Sequence, residues 1–121
     1  MITLAIAAAA GIGALARYVL DQTVQHRTRG TFPYGTFVIN VTGSLLLGFV
    51  VGVTAHHHFP SDAALVLGAG FAGGYTTWST WAWESVALAE TGALAPMALN
   101  IVGSLAVGLA AAAAGLGLAL L

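Results

Sequence analysis

Gly70-Phe71-Ala72-Gly73-Gly74-Tyr75-Thr76-Thr77-Trp78-Ser79-Thr80-Trp81 is the least ordinary stretch of the chain. Adjacent glycines followed by closely spaced hydroxyls make a poor helix. Yet the stretch sits inside residues 63–83, which carry no Asp, Glu, Lys or Arg and read as membrane-embedded. Non-helical backbone at that depth is tolerated only where it is buried in protein or lines a cavity. Carbonyls freed at such a break can coordinate a cation; freed N–H groups and hydroxyls can meet an anion. Trp78 and Trp81, three apart, share a helix face, and Trp83 points elsewhere.

The rest of the chain puts this stretch in a membrane. Of 121 residues, 59% are hydrophobic and only 6% charged, whereas a water-facing small domain needs roughly 25–35% charged residues on its surface. That excludes a soluble enzyme, a nucleic-acid binder and a disordered tail. A net charge of −1 says nothing about partners, and without cysteine there is no disulfide, thiolate site or redox motif. A spanning helix needs about 20 apolar residues. Charge-free windows and turn signals predict four, at about 2–20, 34–55, 63–89 and 94–119, in a single all-α transmembrane domain over 1–121. The first arginine, Arg17, follows the apolar run rather than preceding it, so the start is not expected to be a cleaved signal peptide.

Polar groups inside apolar spans are functional candidates. Arg17 falls near the end of the first span, where snorkelling to the interface is the plainer reading. Asn40 lies about six residues into the second span, near 9 Å deep at 1.5 Å per residue, and its amide must find a partner or line a wet path. Thr76, Thr77 and Glu84 lie in the third span. Asn100 and Ser104, four apart on one face of the last, suggest a polar track. Gly48-x-x-x-Gly52 and Gly70-x-x-x-Gly74 are small-residue seams for close helix packing, between copies as well as within one. His56-His57-His58, beside Pro60, reads as a solvated loop. Gly11-Ile12-Gly13-Ala14-Leu15-Ala16 matches a dinucleotide fingerprint in letters only, with no βαβ unit around it.

Three motifs, in order, resemble the Fluc (CrcB) family of fluoride channels. They are Gly13-Ala14-x-x-Arg17-Tyr18, then Phe32-Pro33-Tyr34-Gly35-Thr36 with Asn40 and Gly43, then the Gly70–Trp81 stretch followed by Glu84. The resemblance covers nearly the whole chain. It implies passive fluoride export from the cytoplasm, across the plasma (inner) membrane, by an antiparallel dual-topology homodimer whose third helix is broken. It further implies a structural sodium ion at the dimer centre, held by backbone carbonyls at positions matching Gly73 and Thr76. The fluoride pathway would involve Asn40, Thr77, Ser104 and Asn100, with ring edges from Trp78 and Trp81. Arg17 and Glu84 complete the matched polar positions. This chain departs from the family pattern by carrying Trp where the ring pair is usually Phe, and Asn100 where the track usually has Tyr. The chemistry is coherent. Fluoride is small and strongly hydrated, so a pore must replace its water with donors, and a ring edge is the positive end of the aromatic quadrupole.

Two rival classes share the size of this chain. A small multidrug-type antiporter needs an acidic residue inside the first helix, and residues 1–20 contain none. A non-transporting proteolipid subunit needs neither the Gly-Gly-x-Thr-Thr break nor Asn40. With four helices, loops one and three share a side. Arg27 and Arg29, with Arg17 near the same helix end, bias that side to the cytoplasm. A bias of two or three residues is compatible with dual insertion. A stronger one would call for a homologous second subunit of opposite orientation.

Overall fold

The computed structural model describes residues 1–121 and is helical throughout, without strands. Helix α1 spans Ile2–Arg27 and α2 spans Tyr34–His56. A third segment is helical over 61–75 (α3) and again over Ser79–Glu90 (α4), and α5 covers Leu94–Leu118. Three of these, α1, α2 and α5, are each long and apolar enough to cross a membrane. The chain is a multi-pass membrane protein, and its surface says so. Only 17 of 121 residues are buried, while Leu4, Ile12, Leu15, Phe49 and Leu109 stand exposed.

The first helix is longer than the 2–20 expected. Residues 21–27 contain neither Gly nor Pro, so nothing stops the helix before Thr28; Gly30, at φ +127°, then turns the chain towards Pro33. Arg17 is therefore mid-helix, with Asp21 one turn beyond it on the same face. The second and fourth helices keep close to their expected limits. The third segment, expected over 63–89 with a break, is interrupted: α3 stops at Tyr75, Thr76 is extended (φ −76°, ψ 161°), and α4 starts at Ser79. Wide π-type turns occupy Val66–Ala72 of α3 and Leu99–Gly103 of α5.

Two glycine seams hold the fold. The α1–α3 crossing is close enough that a Cβ on Gly74 would collide with the Ala10 carbonyl, and one on Gly13 with the Phe71 carbonyl. Along the α2–α5 crossing, a Cβ on Gly48 would strike the Ala112 carbonyl, and one on Gly115 the Leu45 carbonyl. Both seams lie within one copy of the chain. They bring the backbone of α3 against α1 and that of α5 against α2, leaving the 76–78 interruption facing α2 and α5.

Candidate functional site

The site is built around Thr77. Its backbone N–H donates to Asn40 Oδ1 at 2.9 Å, and its carbonyl accepts from Asn40 Nδ2, also at 2.9 Å. The paired geometry fixes which end of the Asn40 amide is which. Asn40 thus replaces, for one residue, the backbone partners that the interrupted helix cannot supply. In an unbroken α-helix the Thr77 N–H would go to the Gly73 carbonyl; here that carbonyl loses its usual partner. On the other side, Thr77 Oγ1 accepts the Thr80 backbone N–H at 3.2 Å and donates to Thr80 Oγ1 at 3.0 Å. Thr77 therefore caps the open start of α4 while Asn40 braces the end of α3.

Two cavities meet at Thr77. The larger is a groove of about 450 Å³ lined by Asn40, Gly73, Thr76, Thr77, Trp78, Trp81 and Ser104, with an apolar wall from Leu105 and Leu109. The smaller, about 230 Å³, is lined by Arg17, Tyr18, Asp21, Thr36, Thr77 and Thr80. The Trp78 and Trp81 rings pack together with centroids 4.5 Å apart and planes at 45°. The structure thus gathers Asn40, Gly73, Thr76, Thr77, Trp78, Trp81 and Ser104 on one groove. Arg17 lies in the other cavity.

Asn100 and Glu84 sit behind these walls. Asn100 is 0% exposed, and its Nδ2 donates to Ser85 Oγ at 2.9 Å. Only Oδ1 turns towards the track, accepting from Ser104 Oγ at 3.3 Å. Glu84 Oε1 accepts from the Thr36 hydroxyl at 2.9 Å, while Glu84 Oε2 and Asp21 Oδ1 are buried without a hydrogen-bond partner. Asp21 and Thr36 were not singled out from sequence. Extending α1 past residue 20 would have exposed Asp21, since it then falls one turn from Arg17. Gly35 gives it room, because a Cβ there would land on Asp21 Oδ1. His57 is exposed, with Nε2 2.7 Å from the Ala119 carbonyl at the end of α5.

A small bundle of apolar helices, with a braced interruption opening onto a groove and a second polar cavity, is the architecture of a membrane transport protein. It contains no cluster of acidic, His or Cys side chains able to hold a metal. Residues 4–116 match the family described as CrcB-like protein, Camphor Resistance (CrcB), and the chain belongs to that family. It is 47% identical over 105 residues to "Fluoride-specific ion channel FluC 2" of Mycobacterium tuberculosis (strain ATCC 25618 / H37Rv), covering 87% of this chain and 80% of that one. It is 46% identical over 118 residues to "Fluoride-specific ion channel FluC 1" of Leifsonia xyli subsp. xyli, covering 98% and 85%. The same identity holds over 110 residues with "Fluoride-specific ion channel FluC" of Nitratidesulfovibrio vulgaris, covering 90% and 89%.

Proposed function

We propose that the chain is a fluoride-selective channel that lets the ion leave the cytoplasm passively across the inner membrane, and not an enzyme. The observation carrying this reading is the Asn40–Thr77 brace, which holds a helix interruption open at the one residue common to both cavities. Around it stand the groups a dehydrated fluoride needs: the Thr77, Thr80 and Ser104 hydroxyls and two indole rings. The names of relatives 46–47% identical supply the ion.

An antiparallel dimer is part of the proposal. The groove is unfinished in one copy: Trp78 is 76% exposed, Leu105 61% and Leu109 64%, an apolar opening that a second copy would cover. A structural sodium ion at the dimer centre also fits the residues present. Gly73 and Thr76 would hold it through backbone carbonyls, the oxygen donors a hard cation prefers. The Gly73 carbonyl is suited to this because the N–H it would ordinarily accept is bonded to Asn40.

Fluoride efflux from liposomes containing the purified protein tests the reading. Efflux should far exceed that of protein-free vesicles, with chloride retained; vesicles that hold their fluoride overturn it. Replacing both Trp78 and Trp81 by Ile should nearly stop efflux, since that removes the aromatic edges, while replacing both by Phe should preserve it. Equal flux in the two variants would assign the rings to packing. Reporter fusions at the C-terminus should give signal from both compartments; signal from one alone would require a homologous partner of opposite orientation.

A further inference from the structure

We propose that Asn100, which does not line the groove, is the positioning residue that keeps the bulk of the Trp81 indole out of the ion path. The inference rests on reading the groove as that path. Trp81 is held at two points. Its indole N–H donates to the Asn100 backbone carbonyl at 2.9 Å, so the ring's only polar donor is directed into α5 rather than into the groove. Its own carbonyl accepts from Ser85 Oγ at 2.8 Å and from Asn100 Nδ2 at 3.4 Å.

Asn100 ties these contacts together. Its amide also donates to Ser85 Oγ at 2.9 Å, and its Oδ1 accepts from Ser104 Oγ, a groove residue, at 3.3 Å. Both Asn100 and Ser85 are buried, so an amide lost here takes the acceptor from Ser104 Oγ and leaves Ser85 Oγ with the Trp81 carbonyl alone. The Asn100 carbonyl belongs to the wide turn Leu99–Gly103, whose altered register differs from the α-helical turns on either side.

The neighbouring ring shows what the clamp does. Trp78 touches Trp81 yet makes no hydrogen bond through its indole and is 76% exposed. One ring is free to turn and the other is pinned. Indole is larger than phenyl, so an unpinned Trp81 would swing its bulk into the groove it now borders. A smaller ring at this position would not need the clamp.

Two measurements on the full-length protein test this. In the first, the indole N–H groups of Trp78, Trp81 and Trp83 are followed by hydrogen exchange, using 15N-tryptophan labelling and assignment by single Phe replacements. The Trp81 N–H should exchange slowest, and Asn100→Ala, which keeps the accepting backbone carbonyl but removes the amide that steadies it, should shift its rate towards that of the other two while leaving theirs unchanged. In the second, Asn100→Ala should lower fluoride efflux about tenfold, the scale of one lost buried hydrogen bond. The same substitution in a Trp81→Phe background should change efflux by less than about twofold. Ser85→Ala removes the acceptor of the Asn100 amide while leaving Asn100 in place. It should act in the same direction with smaller effect, and it serves if Asn100→Ala does not fold. Two results overturn the proposal: a Trp81 N–H that exchanges as fast as that of Trp83 in the unsubstituted protein, or a loss of efflux on Asn100→Ala that is equal with and without the Trp81→Phe replacement. A protein that moves no fluoride at all overturns the channel reading instead, and the exchange rates then judge the clamp alone.

Discussion

Helix α2 and the third segment both carry hydroxyls through apolar surroundings, but they use them differently. In α2 the Thr54 hydroxyl returns to the carbonyl four residues back, Val50, at 2.7 Å. Thr76, at the end of α3, likewise returns to Ala72 at 2.9 Å. Such a hydroxyl satisfies itself and says little about function. Thr36, Asn40 and Thr77 instead reach outside their own helix turn: Thr36 to Glu84, Asn40 to the Thr77 backbone, and Thr77 forward to cap α4. The lesson is that a polar residue in a membrane helix becomes a site candidate when its partner lies on another segment. An unbroken helix can satisfy a threonine by itself; an interrupted one must borrow.

The sharpest test removes the borrowed partner. Asn40→Asp keeps an acceptor for the Thr77 N–H but loses the donor to the Thr77 carbonyl, and it adds negative charge beside an anion path. The lost part-buried hydrogen bond alone is worth about 1–3 kcal/mol, at 1.4 kcal/mol per tenfold. With charge repulsion added, fluoride efflux should fall by about a hundredfold or more. A dimeric Asn40→Asp protein that conducts normally would show that the brace is packing only.

The glycine seams ask whether the two regions differ in packing as they do in polar chemistry. Gly74→Val on α3 and Gly48→Val on α2 each push a side chain into a facing backbone carbonyl, of Ala10 and Ala112 respectively. Each should cost about 1–3 kcal/mol of stability, read as earlier thermal unfolding in detergent. Gly11→Val, where a Cβ meets nothing within 4 Å, should be close to silent. Similar losses at Gly48 and Gly74 would confine the contrast between the regions to their hydrogen bonds. A silent Gly74→Val would refute the close α1–α3 crossing.

Much of this was legible in the sequence, for a physical reason. Charges are so sparse that charge-free windows mark the apolar segments, and Gly73-Gly74 followed by hydroxyls marks where a helix is weakest. The Asn40 amide, too deep to be solvated, was legible as a residue in need of a partner. What escaped depends on helix rotation and tertiary distance, which spacing alone does not fix. Asn100 and Ser104 share a face, yet a wide turn begins at Leu99, and the Asn100 amide turns inward to Ser85. Asp21 fell just outside the expected 2–20 span because the apolar run ends there, and only the absence of a breaker in residues 21–27 lets the helix continue to Arg27. The partner of Glu84 is Thr36, 48 positions away, and no local pattern links them.

The smallest effects give the finest test of the contrast. Thr36 is 1% exposed, and its hydroxyl is the hydrogen-bond donor to Glu84, whose other oxygen is already buried without one. Thr36→Val keeps the shape and strands the whole carboxyl, a loss of about 1–3 kcal/mol. Thr36→Ser, which keeps the donor, should restore most of it. Thr54→Val makes the same exchange of hydroxyl for methyl in the same helix. The Thr54 hydroxyl, however, serves only its own helix, at Val50, whose carbonyl keeps its lone pairs for the backbone ladder when the hydroxyl goes. Its cost should therefore stay within about 0.5 kcal/mol, with efflux unchanged. Paired melting curves of the two Val variants decide the matter. If Thr54→Val proves as damaging as Thr36→Val, hydroxyl loss is costly anywhere in α2, and partners on another segment no longer distinguish structural from functional threonines.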